Sequence, residues 1–83
     1  MRFKAEIDVM PLETLLDPQG KAVNGSMKTV GLEAIDGVRI GKHIRLFVDA
    51  SSEDDASAKV DEACKKLLVN QIMESYSFSL EQA

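Results

Sequence analysis

Cysteine and histidine are almost missing from this sequence: 83 residues contain one of each, Cys64 and His43. One cysteine excludes an internal disulfide, and one thiol with one imidazole falls short of the four ligands that a structural zinc ion takes. Both facts suit a reducing compartment. Long hydrophobic runs are missing as well. No stretch approaches the ~20 apolar residues of a membrane span, and the first residues, "MRFKAEIDV", alternate in polarity where a signal peptide has an apolar centre. These readings predict a cytoplasmic protein without a membrane partner. Positive charge is the minority sign: 10 Lys and Arg stand against 14 Asp and Glu, for a net charge of -4. Binding to a phosphate backbone needs clustered cations, so nucleic acid is excluded as a partner.

Catalytic equipment is equally thin. A phosphate loop requires GxxxxGK followed by Ser or Thr. Gly20-Lys21 runs into Ala22 and Gly41-Lys42 into His43, with no earlier glycine at the required spacing. His43 has no evident partner to orient it as a general base, and it is expected on the surface or at an interface. The acidic run Glu53, Asp54, Asp55 is explained by its place at a helix start, where the dipole favours carboxylates, so it is not assigned to a metal. Cys64 falls on an apolar helix stripe and reads as a buried structural thiol. Tyr76 reads as a core aromatic whose hydroxyl reaches water. No catalytic, cofactor-binding or metal-binding residue is assigned.

What is present is the composition of a small globular chain, 45% hydrophobic and 29% charged with mixed sign, read as one domain over residues 1–83. Phe3, Ala5, Ile7 and Val9 alternate with Arg2, Lys4, Glu6 and Asp8, the pattern of a strand with one buried face. Pro11 ends it. Asp17 caps and Pro18 opens a helix carrying Val23, Met27 and Val30 at i, i+4, i+7, and Gly31 closes it. This helix is weakly written, because Gly20 and Gly25 each cost about 1 kcal/mol relative to Ala. In "IDGVRIGKHIRLFVDA" the residues alternate on both sides of Gly41-Lys42. That predicts a hairpin with a type II′ turn, Val38 and Ile40 on one arm and Ile44, Leu46 and Val48 on the other. Ser52 caps a second helix with the stripe Ala56, Val60, Ala63, Leu67 and outer pairs Asp55–Lys59, Asp61–Lys65 and Glu62–Lys66. Tyr76, Phe78 and Leu80 then alternate with serines in a last strand.

The order βαββαβ predicts an α+β, two-layer ferredoxin-like fold, a four-stranded antiparallel sheet with two helices on one face. The second face would carry Arg2, Lys4, Glu6, Asp8, Arg39, Arg45, Phe47, Asp49 and the serines. Such a face, with two open edges, invites a second chain.

Two segments, "LDPQGKAV" and about fifteen residues later "VRIGKHIRL", followed by the acidic helix and "CKKLLVNQIMESYSF", resemble the PurS family over residues 1–82. Asp17, Pro18, Gln19, Gly20 and Ala22 match its first motif, and Val38, Arg39, Gly41 and Lys42 its second. The resemblance implies a non-catalytic, homodimeric subunit of phosphoribosylformylglycinamidine synthase, a glutamine-dependent carbon–nitrogen ligase of de novo purine biosynthesis. It implies two partners, the glutaminase subunit PurQ and the synthetase subunit PurL, which this chain would join while supporting ammonia transfer. The complex would form formylglycinamidine ribonucleotide at the expense of ATP and glutamine. No cofactor is expected on this chain, with ATP and magnesium on the synthetase subunit. The candidate partner-interface residues are Asp17, Gly20, Arg39, Gly41, Lys42 and His43, with Arg39 expected to point outward from the hairpin and Lys42 to sit at its tip. The alternative is a small-ligand-binding regulatory domain of the ferredoxin-like type, using helix N-termini and an inter-subunit cleft. A free-standing enzyme built on His43 ranks third.

Overall fold

Residues 1–83 are described by a computed structural model. Along the chain come β1 (Arg2–Pro11), α1 (Pro18–Thr29), β2 (Lys42–Asp49), α2 (Glu53–Ala63) and β3 (Glu74–Gln82). The fold is α+β. β1 is the central strand, antiparallel to β2 on one side and to β3 on the other. Its strict alternation sends Phe3, Ala5, Ile7 and Val9 to one face, where all four are buried. α2 lies across that face with Ala56 and Val60 turned inward and Cys64, just past its end, beside them, and Ile44, Leu46, Val48, Tyr76, Phe78 and Leu80 close the core from the flanking strands.

The start of α2 follows the sequence. Ser52 Oγ accepts from the Asp55 amide at 3.1 Å, three carboxylates fill the first turn, and the pairs Asp55–Lys59, Asp61–Lys65 and Glu62–Lys66 form at 3.3, 2.9 and 2.7 Å. Its end does not. α2 runs into a π-helical turn, Cys64–Leu68, in which the Val69 amide reaches back to the Cys64 carbonyl at 3.0 Å. A wider turn holds one residue more than an α turn and so shifts the phase of everything after it. Leu67, predicted on the core stripe, is therefore 83% exposed, while Val69 is buried and Leu68 packs against the core.

Two larger corrections concern the sheet and the first helix. The sheet has three strands, not four. Residues 38–41 form neither a strand nor a type II′ turn: Gly37 takes the positive φ, +68°, and Gly41 does not. The amides that a ladder would use are bound to side chains, Ile40 to Asp17 and Val38 to Asn24. Nor do two helices share one face. Only α2 packs on the sheet. α1 begins and ends where predicted, with Asp17 as its cap and Gly31 at φ +81° beyond it, yet Val23 and Val30 are exposed. The molecule is accordingly long and thin, 51 × 26 × 14 Å, with a radius of gyration of 16.4 Å. A compact chain of this length measures about 12 Å.

Candidate interaction site

Asp17 is a buried carboxylate, and each of its oxygens has a task. Oδ1 accepts from the Gly20 amide at 3.0 Å, the capping bond of α1. Oδ2 accepts from the Ile40 amide at 2.8 Å, which fastens the incoming 38–41 segment to the helix start. Those two amides, Gly20 first, hold its carboxyl below the usual aspartate range. Gly20 is required by the same closeness, because a methyl group there would lie 2.6 Å from the Val38 carbonyl oxygen. Gly41 is the second crossing point: any side chain on it would run into the carbonyl of Val9 and the sulfur of Met10.

Arg39 completes this knot. Its Nη2 donates to the Leu12 carbonyl at 2.7 Å and Nη1 to that of Leu15 at 3.2 Å. The buried Nε has no hydrogen-bond acceptor, and its nearest anion is Asp17 Oδ2 at 3.9 Å. The guanidinium therefore faces the 12–17 loop, not the open face of the sheet as predicted. It straps that loop to the segment entering β2. Lys42 is the first residue of β2, not a hairpin tip, with Nζ 3.8 Å from Glu74.

His43 stands apart from the knot, on the open face. The β1–β2 register sets it opposite Asp8, with Glu6 opposite Arg45. Its Nδ1 is 2.7 Å from Asp8 Oδ1, and Nε2 is bonded to Glu6, whose other oxygen accepts from Arg45. Asp8 first and Glu6 second raise the imidazole above its ordinary value of 6.5, while Arg45 and then His43 lower Glu6. Nearby, Arg2 lies over the exposed Phe47 ring, 4.8 Å from its centroid. A general base needs a free nitrogen, and neither ring nitrogen is free. The structure thus separates the six predicted residues into a buried knot of Asp17, Gly20 and Arg39, the crossing at Gly41, and the exposed Lys42 and His43.

Sequence reasoning missed the carboxylates around His43. The signal was available in the alternation, since acids at 6 and 8 and bases at 43 and 45 become cross-strand partners once the two strands are aligned antiparallel. Tyr76 was missed in the same way: its hydroxyl donates to Asp61 on α2 and does not reach out to water. The helix N-terminus offers no anion site. The Gly20 and Lys21 amides are taken by the side chain and the carbonyl of Asp17.

Comparison with known proteins gives one answer throughout. The family model described as PurS, phosphoribosylformylglycinamidine (FGAM) synthase, matches residues 4–82. The PurS subunit of phosphoribosylformylglycinamidine synthase from Synechocystis is 39% identical over 94% of this chain and 78% of its own. The subunit of the same name from Bacillus subtilis is 35% identical over 96% and 94%. Among solved structures, the Thermotoga maritima PurS subunit superposes with a TM-score of 0.89 at 31% identity, covering 98% of this chain and 93% of that one. A chain in the structure of PurLQS from Thermotoga maritima gives 0.89 at 31%, over 98% and 99%. With its sequence matched from residue 4 to 82 and its strands and helices laid out as in those structures, the chain belongs to the PurS family.

Proposed function

We propose that this chain is the subunit of phosphoribosylformylglycinamidine synthase that joins a PurQ glutaminase to a PurL synthetase in the cytoplasm, and supports the passage of ammonia from one to the other. The observation that carries the reading is the near-complete superposition on a chain of the Thermotoga maritima PurLQS structure. Catalysis on this reading belongs to the partners, with ATP and magnesium bound by the synthetase subunit. The chain works as a homodimer. The supporting observation is the protomer's shape: α1 carries Val23 and Val30 exposed, and Leu32 and Ile35 follow uncovered, more apolar surface than a helix fastened only through Asp17 and Asn24 to the 38–41 segment can shelter. Of the candidate interface residues, Lys42 and His43 have free surface for a partner, while Asp17, Gly20, Arg39 and Gly41 set the path of the chain that presents it.

Reconstitution with the PurQ and PurL subunits of the same cell tests the reading. Omission of this chain should abolish glutamine-dependent formation of formylglycinamidine ribonucleotide and leave the rate with added ammonia unchanged. Equal glutamine-dependent rates with and without it would overturn the assignment. Sedimentation of the chain alone at micromolar concentration checks the dimer, which a single 9.1 kDa species would remove.

A further inference from the structure

His43 is held from both sides, and imidazole chemistry limits which protonation state fits. Nδ1 lies 2.7 Å from Asp8 Oδ1, and Nε2 meets Glu6 Oε2. Carboxylate oxygens only accept, and a neutral imidazole has a single N–H, so it would turn a lone pair toward one of the two anions. The imidazolium donates to both. The remaining groups around it follow from the register. On β2 the neighbour is Arg45, bonded to the other Glu6 oxygen. β3 sets Ser77 opposite Asp8 and Ser79 opposite Glu6, with Glu81 farther along against Lys4. α2 lies on the opposite face. Over the whole open face, Arg2, Lys4, Arg45 and His43 stand against Glu6, Asp8, Asp49 and Glu81. Cations and anions balance only when His43 carries its second proton.

The position of this cluster gives it a mechanical meaning. β2 starts at Lys42, one residue after the Gly41 crossing and two after Ile40, whose amide is fixed by Asp17 at the head of α1. We infer that Asp8, His43 and Glu6 form a proton-operated clasp, which fastens the start of β2 to the central strand and so ties the placement of the 38–41 crossing and α1 to pH. The sign follows from the raised imidazole. The clasp is fully closed below about 6.5, the unfolded-chain value, and is released as pH rises through the higher value of the folded protein.

The test uses the whole chain and nuclear magnetic resonance. The His43 ring should titrate above 6.5, with both nitrogens protonated at pH 6, and Asp8→Asn and Glu6→Gln should each move the midpoint down. Protection of backbone amides in the β1–β2 ladder around His43, corrected for intrinsic exchange, should fall as pH rises through the midpoint. The fall should be about tenfold for each unit by which that midpoint exceeds 6.5. The β1–β3 ladder should hold. His43→Gln, which cannot take the proton, should remove the pH dependence. A midpoint at or below 6.5, a singly protonated ring at pH 6, a loss of protection shared by both ladders, or a raised midpoint with unchanged β1–β2 protection would each overturn the clasp.

Discussion

Gly20 and Gly25 lie in the same helix, five residues apart, and the same substitution at each should act with opposite sign. At Gly25 a methyl group meets nothing within 4 Å, so Gly25→Ala gains the helix propensity alone, about 1 kcal/mol. At Gly20 the methyl lands on the Val38 carbonyl and on the Asp17 carboxylate. Overpacking of that kind costs about 1–3 kcal/mol. Because one of the atoms struck is backbone, which cannot rotate away, the cost sits at the upper end. Subtracting the propensity gain leaves Gly20→Ala about 2 kcal/mol less stable than the parent, and about 3 kcal/mol below Gly25→Ala. For a domain of this size about 1 kcal/mol moves Tm by about 4–8 °C, so the two variants should melt on opposite sides of the parent and well apart. Urea and thermal melts followed by circular dichroism measure this, at one fixed protein concentration because assembly makes Tm concentration-dependent. A Gly20→Ala protein as stable as the parent would show that the 38–41 segment does not cross the head of α1 as described.

Cys64 is buried in the core with its thiol pushed up by burial and, secondarily, by Asp61. A thiol reagent should therefore label the native chain only at the rate of unfolding, and stoichiometric labelling of folded protein within the mixing time would refute the burial. Tyr76 is raised to about 12, chiefly by its bond to Asp61, so ultraviolet absorbance should record ionisation about two units above an ordinary tyrosine. Asp61→Asn should bring that midpoint back toward 10, and an unchanged midpoint would mean the inter-element bond is absent. Since the neutral phenol is the favoured form, its contribution to stability should be complete below pH 10 and lost as pH rises toward 12.

The elements legible in the sequence were those with a strong local code. β1 announced itself by eight alternating residues, α2 by Ser52, its acidic turn and its i,i+4 pairs, and α1 by the Asp17-Pro18 start and Gly31 stop. Val38 and Ile40 also alternate, but a period of two says only which way side chains point, not whether the backbone has a neighbouring strand. Here the Asp17 and Asn24 side chains, 23 and 14 residues away, took the amides first. The phase of α2 beyond Cys64 was lost to a one-residue insertion that α-helical spacing cannot register. The candidate site was half legible. Asp17 as a cap and Gly20 as a point of close backbone approach were legible, whereas Gly41, read as a turn glycine, marks a crossing over Val9 and Met10, and Arg39 turned inward because it lies outside the strand whose alternation would have aimed it at the open face.

The middle strand of the sheet precedes both of its neighbours in the sequence, β2 by one helix and β3 by two. Phe3 pairs with Val48 on one side and with Gln82 on the other. During synthesis one edge of β1 has no partner until β2 (Lys42–Asp49) is made, its four core side chains have no cover until α2 (Glu53–Ala63) follows, and its other edge stays open until β3 (Glu74–Gln82). Contacts of such long sequence separation form slowly, and an uncovered apolar strand is prone to pair with the wrong chain. The alternate charges of β1, Arg2, Lys4, Glu6 and Asp8, then serve a purpose before there is any sheet: they keep a waiting strand in solution until the residues it needs have been built.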